Sequence, residues 1–231
     1  MLPMAGNKLL SHLSAGEFAN LHSLLKPICF DAGHVLYEAG AEIDYSYFPL
    51  HGTLSAVVVM LDGRMIEVAT IGNEGAVGLP TPVGVTKSIN RVFVQVPGDG
   101  LKVETKLLEK ELQRSAFLQR LFSLYQAAFQ FQVAQSVACN GLHTLRERCC
   151  RWLLMTHDRA GSDEIKLTHE FLSIMLGVRR PGVTVTLQEL QESGLLTYSR
   201  GSINIVSRAG LESQSCECYR VVTAEYAKLL T

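Results

Sequence analysis

The hydrophobic pattern changes rhythm near residue 105. Before it, short runs rich in β-branched and aromatic residues (53–60, 65–71 and 91–96) alternate with turn signals at Gly33, Ala39-Gly40, His51-Gly52, Asp62-Gly63, Gly72-Asn73 and residues 97–100. Many short strands at such spacing predict a β domain of sandwich or barrel type. Asp62-Gly63 between two apolar runs predicts a hairpin, because glycine accepts the positive φ that tight turns demand. A helical pattern over 9–25 opens the chain, and 75–84, small, apolar and carrying two prolines, reads as a loop or short helix.

After residue 105 the period becomes helical. Residues 106–137 contain neither proline nor glycine, and Leu108, Leu112, Leu118, Leu121, Leu124, Tyr125, Ala128, Phe129, Gln132 and Val133 recur near 3.6-residue spacing. Such a helix would run about 45 Å. Its apolar face fits either a core packed in its own chain or a seam between two copies, and its extent favours the seam. Asn140-Gly141 is the expected break and, over 137–141, a hinge. A second helix over 143–159 would bury Trp152, Leu153 and Leu154, and 161–163 would form a loop. This divides the chain into a β domain (1–105), a dimerisation helix (106–140) and a C-terminal domain (141–231).

Residues 167–206 carry the most specific pattern. Thr168 is a good N-cap, and Phe171, Leu172, Met175 and Leu176 make one apolar face. Gly177 ends that helix, and a second begins at 179–181, where Pro181 is tolerated because first-turn amides have no intrahelical partner. Val183, Leu187 and Leu190 supply its buried stripe. Two short helices around a glycine turn form a helix-turn-helix pattern. Two short strands then meet at Arg200-Gly201, as a wing does.

The chemistry of this segment suits duplex DNA. The second helix of such a unit enters the major groove N-terminus first, which places Arg179 and Arg180 there with Pro181, and Thr184 one turn on. An arginine fork matches O6 and N7 of guanine. Thr168, His169, Arg200 and Ser202 are candidate phosphate contacts. Overall charge adds little: 21 basic against 22 acidic residues give −1, and residues 141–231 carry only +1. A polybasic chain is excluded, while a local basic face is not.

With the parts in this order, the chain resembles regulators of the CRP/FNR family. The resemblance covers nearly the whole length. It rests on residues 33–40, 47–54 and 71–80 in the β part, and on 167–172, 177–180 and Leu195-Leu196 in the DNA-binding part. It implies an α+β protein: an N-terminal cyclic-nucleotide-binding-like β-roll, a long dimerisation helix and a C-terminal winged helix-turn-helix. It also implies a homodimer on a palindromic operator, with RNA polymerase as a further partner. Gly78, Leu79, Asn90, Arg91, Leu124 and Tyr125 are the candidate effector-pocket residues. Members that bind cyclic AMP carry a glutamate where Leu79 stands, and an Arg-Ser pair near Asn90-Arg91 that is missing here. Cyclic AMP is therefore not expected, no other cofactor is assigned, and strand alternation turns Arg91 away from a ligand. In the recognition helix, Pro181 and Val185 replace the acidic and second basic residues of the best-known members, leaving Arg180 as the main base-reading carry-over.

Several classes are set aside. No nucleophile elbow, P-loop or paired metal motif marks an enzyme. The longest apolar run, 56–61, is far too short to span a bilayer, and no signal-peptide pattern opens the sequence, so a cytoplasmic location is expected. Cys29 alone lies in the first 138 residues, which leaves an N-terminal iron–sulfur cluster without local ligands. Cys149-Cys150 and Cys216-Glu-Cys218 raise a thiol-sensor or zinc reading. The second spacing is poor for zinc, so all are read as buried structural cysteines, and no metal is expected. His34, His51 and His143 read as ordinary polar positions. The competing reading of the whole is a small-molecule or redox-sensing module with vestigial DNA binding.

Overall fold

The computed structural model describes residues 6–80, 84–199 and 201–229. Two short helices, α1 (Lys8–Ser11) and α2 (Ala15–His22), lead into strands β1 (Lys26–Phe30), β2 (Val35–Tyr37), β3 (Tyr45–Pro49), β4 (Thr53–Val59), β5 (Met65–Ile71), β6 (Arg91–Val96) and β7 (Gly98–Glu104). These form two antiparallel sheets, ordered β1-β7-β3 and β2-β6-β4-β5. Their inner faces enclose Phe30, Tyr47, Leu54, Ile71, Val92 and Val94, the roll that the short alternating runs implied. The hairpin expected at Asp62-Gly63 joins β4 to β5, closed by Met60 N–H and C=O bonds to Arg64 and Gly63.

The opening helix is two helices. Ser14 and Glu17 form a reciprocal capping box that starts a new helix after a turn. The expected unbroken helix from 106 is likewise two, α3 (Thr105–Arg114) and α4 (Ala116–Leu142). Ser115 is extended, caps Leu118 N–H, and donates its hydroxyl to Glu17 at 2.9 Å. A side-chain cap can restart a helix without any proline or glycine, so the break left no trace in the hydrophobic pattern. At the other end, α4 passes through Asn140-Gly141 and stops at His143, where Thr144 and Glu147 form a second capping box. The expected hinge at 137–141 is thus helical. A glycine costs a helix about 1 kcal/mol, which the packing of this end outweighs.

The rest follows as α5 (Leu145–Ala160), β8 (Glu164–Lys166), α6 (His169–Met175), α7 (Arg180–Glu192), β9 (Leu196–Ser199), β10 (Ser202–Ile205), α8 (Arg208–Gln214) and α9 (Cys218–Leu229). Strand β8 adds a third strand beside β10, in the order β8-β10-β9. Helix α9 lies along α4.

Helix α4 closes the roll. Phe129 and Val133 pack on the roll interior, Tyr125 donates its hydroxyl to Ala76 C=O at 2.8 Å, and Gln132 donates its amide to Thr70 C=O at 3.0 Å. From α9, Tyr226 donates to the Gln132 oxygen at 2.9 Å. The C-terminal part docks on the roll through two buried carboxylates of the roll. Glu67 accepts from Trp152 Nε1 at 2.8 Å and from Ser55 Oγ at 2.6 Å. Glu74 pairs with Arg159, whose Nη2 lies at 2.7 Å. Phe171 meets Phe93 edge-on at 6.0 Å.

Burial pushes the Glu67 carboxyl up to about 7, against the lowering effect of the Ser55 and Trp152 hydrogen bonds and of Arg151 and Arg159. A carboxyl raised on folding contributes stability at low pH that is lost as pH rises through its folded value. Relative to Glu67→Gln, the native chain should therefore lose stability from pH about 4.5 to about 7, by roughly 1.4 kcal/mol per unit. Urea midpoints of both chains at pH 5 and pH 8 check this. A stability difference independent of pH would mean that Glu67 titrates as an ordinary carboxylate.

Candidate nucleic-acid interface

Local chemistry builds the reading head. Thr168 caps α6 by accepting from Phe171 N–H at 3.1 Å. Gly177 then turns the chain at φ +63°, and a Cβ there would strike the Ile66 side chain at 2.7 Å, so both the turn and its seat on the roll require glycine. Val178 N–H returns to Ser173 C=O at 2.9 Å. Arg179 is the N-cap of α7 and Pro181 sits in its first turn, as expected.

Helix α7 buries Val183, Thr186, Leu187 and Leu190. That leaves Arg180, Pro181, Val185 and Gln188 exposed, with Thr184 half-buried beside them. Among the described residues no carboxylate pairs with Arg179 or Arg180, so both guanidiniums stand beside the positive end of a helix dipole. The far end of α7 is clamped by Arg146, which reaches Ser193 Oγ at 3.2 Å, Gln214 at 3.3 Å and Glu189 at 3.5 Å. Arg146 escaped sequence reasoning because its partners lie at least 43 residues away.

Of the expected phosphate contacts, His169 proves to be a junction. Its Nδ1 lies 3.1 Å from Thr184 Oγ1 on α7, and its ring meets Tyr198 of β9 at 5.0 Å. Burial and the charge of Arg180 lower its pKa, so the imidazole is neutral at neutral pH and positions rather than attracts. Thr168, His169, Thr184 and Arg180 thus come together, with Arg179 flanking. Ser202 lies on the wing and donates its hydroxyl to Glu164 at 2.9 Å. Arg200 lies outside the described residues.

A cavity of about 250 Å³ opens inside the roll. Of the candidate pocket residues, Gly78, Leu79, Asn90 and Tyr125 line it, together with Phe129 and Lys87. Gly78 holds φ +74°, and a Cβ there would lie 2.7 Å from Tyr45 C=O. Arg91 and Leu124 do not line the cavity. Arg91 approaches Glu38 at 3.5 Å on the other side of β6, in keeping with strand alternation. Leu124, one residue from Tyr125, is rotated about 100° round α4.

The cysteines divide differently from their sequence grouping. Cys149 and Cys150 are buried in α5, where burial pushes the Cys150 thiol up to about 11 and Cys149 further still. Cys216 and Cys218 instead meet Cys139 and His143, the four ligand-type atoms lying within 4.8 Å of one another. His143 is therefore no ordinary polar position. The Cys139/His143 pair was hidden because its complement lies more than 70 residues downstream.

Among the described residues no helix is long and apolar enough to cross a membrane. Residues 147–214 match the family of the Crp-like helix-turn-helix domain. No curated protein matches the sequence. Among solved structures, FixK2 from Bradyrhizobium japonicum superposes with a TM-score of 0.71 at 18% identity, over 83% of this chain and 98% of that one. A transcriptional regulator of the crp/fnr family from Eubacterium rectale gives 0.69 at 18% identity, over 89% and 96%. The c-di-GMP responsive global regulator CLP of Xanthomonas campestris gives 0.66 at 13% identity, over 83% and 99%. The segment from α5 to α8 is thus a Crp-like helix-turn-helix domain, and the chain as a whole has the fold of the CRP/FNR transcription regulators.

Proposed function

We propose that this chain regulates transcription as a homodimer that binds a palindromic operator, one α7 in each of two major-groove segments. The observation that carries the reading is the outward face of α7, where Arg180, Pro181, Val185 and Gln188 are free of packing in their own chain. Arg180 reads guanine as a fork, and Val185 offers an apolar surface to a thymine methyl. Arg179 and the cap of α6 at Thr168 engage phosphate and set the register. Contact with RNA polymerase then couples occupancy to transcription.

A continuous heptad on α4 supports the dimer. Phe117, Arg120, Leu124, Ala127, Phe131, Ala134, Ala138 and Gly141 alternate at three and four residues, and each is exposed or half-buried in the single chain. Small residues at Ala127, Ala134, Ala138 and Gly141 allow two such helices to approach closely, and the alternation of three and four residues is that of a two-stranded coil. The two-fold axis sets half-sites one or two helical turns apart.

The roll is the effector domain in this reading. Leu79, Val92, Phe129 and Tyr125 give the cavity apolar walls, and Lys87 is the cation among its lining residues. A cyclic phosphate needs charged or convergent N–H donors, so an uncharged, largely apolar effector suits this cavity better than cyclic AMP. Tyr125 and Phe129 belong to α4, so an occupant shifts the same helix that carries the seam.

Arg180→Ala should weaken specific operator binding by about 1–3 kcal/mol and relax discrimination at one base position, measured on sites selected from a random duplex pool. Unchanged discrimination would contradict its role, and no selectable site at all would favour the sensing module with vestigial DNA contact. Ala134→Arg places a charge on the exposed seam without touching the core, and should convert dimers to monomers in sedimentation. An intact dimer would locate the interface elsewhere. Titration calorimetry with cyclic AMP should give no binding heat, whereas micromolar affinity would refute the account of Leu79.

A further inference from the structure

We propose that Cys139, His143, Cys216 and Cys218 form a tetrahedral Cys3His site for Zn²⁺, joining the end of α4 to the start of α9. Cys139 lies in the last turn of α4 and His143, four residues on, is its C-cap. Cys216 lies in the link between α8 and α9, and Cys218 is the first residue of α9. Cys139 Sγ is 3.6 Å from Cys216 Sγ, and Cys218 Sγ is 3.5 Å from His143 Nδ1. A tetrahedron with Zn–S near 2.3 Å and Zn–N near 2.0–2.1 Å has edges of about 3.5–3.8 Å. These two donor pairs already stand at coordination spacing, and all four donor atoms lie within 4.8 Å of one another.

Two further observations point to a cation here rather than to packed thiols. The other ring nitrogen of His143, Nε2, lies 3.2 Å from the Glu217 carboxylate. A carboxylate beside Nε2 with Nδ1 facing the sulfurs is the outer-shell arrangement that metal-bound histidines show. Second, Arg148 and Arg151 on α5 are both buried and act electrostatically on Cys139, and the Nε of each has no hydrogen-bond partner among the described residues. Three thiolates around Zn²⁺ leave a net charge of −1, which the two buried guanidiniums more than offset. Gln135 adds an N–H···S contact to Cys218 at 3.1 Å.

Binding needs no oxidant: Zn²⁺ enters as the three thiols release their protons, and no bond changes oxidation state. All four ligands come from the protein, and the three sulfurs are almost wholly buried, so the site is closed and structural. It ties the C-terminal helix to the dimer-seam helix. Arg148 also donates to Leu176 C=O at the end of α6, which brings the cluster within one side chain of the reading head's turn.

The test is metal analysis of the full chain purified under reducing conditions from zinc-supplemented medium, followed by exchange with Co²⁺. One zinc per chain is expected, and the cobalt form should show thiolate-to-metal charge transfer and the intense visible bands of a tetrahedral site. Cys218→Ser and Cys216→Ser should each weaken metal binding at least tenfold. Glu217→Gln, outside the coordination sphere, should weaken it by about tenfold, and Cys149→Ser should leave it unchanged. If the serine variants fail to fold, X-ray absorption on the wild-type zinc form decides, with three sulfurs and one nitrogen expected. A reduced chain that takes up neither metal, cobalt bands unaltered in Cys218→Ser, or a Cys139–Cys216 disulfide in the metal-free isolated protein would each overturn the proposal.

Discussion

A carboxylate removed from water must find partners, and two carboxylates of the roll decide where the rest of the molecule sits. Glu67 and Glu74 are buried by the helices above them, and both partners come from α5: Trp152 for one, Arg159 for the other. Those two residues are seven apart, two turns along one face of a helix. A pair of polar contacts at that spacing fixes both the direction and the rotation of α5. Losing Arg159 would leave the Glu74 charge uncompensated, at a cost of about 3–5 kcal/mol, and losing Trp152 would strip the buried Glu67 carboxyl of a hydrogen-bond donor, at about 1–3 kcal/mol. Apolar contact alone is not directional and would permit sliding. With α5 fixed, α6 settles on Phe93 and Ile66, and α7 presents its basic end outward.

Helix α4 divides its circumference into three faces. One stripe closes the roll through Tyr125, Phe129 and Val133, a second meets α9, and the third is the exposed heptad of small and apolar residues. Gln132 sits between the first two, donating to the roll and accepting from Tyr226. A buried amide satisfied on both sides holds a helix in register more strictly than a leucine would. This explains a polar residue in an otherwise apolar stripe. It also explains how the cavity, the exposed heptad and the helix-turn-helix half come to share one rigid element.

Much of this was legible in the chain. The helix-turn-helix was readable because each of its parts is local: a threonine cap, a glycine at positive φ, a proline in the first turn and a 3.6-residue stripe. The roll was readable as a series of short strands, though not its strand order, since β1 and β3 both pair with β7 across more than 40 residues. Errors arose where a distant contact outweighed a local signal. Ser115 breaks a helix that has no breaker, and Asn140-Gly141 fails to break one. Leu124 neighbours Tyr125 along the chain but is carried out of the pocket by helix rotation, and Arg91 leaves it as strand alternation requires.

The sequence by itself determined the element types, the reading head and its exposed arginines, and the absence of the charged pair that a cyclic phosphate would need. These depend on neighbours within about four residues, where backbone geometry dictates which side chains share a face. Only the tertiary structure decided the docking of α5 on Glu67 and Glu74, the division of α4 into three faces, and the meeting of Cys139 and His143 with Cys216 and Cys218. Those arrangements join residues 49 to 94 positions apart. No spacing rule reaches that far, because the intervening chain can bring any two such points together at nearly the same entropic cost.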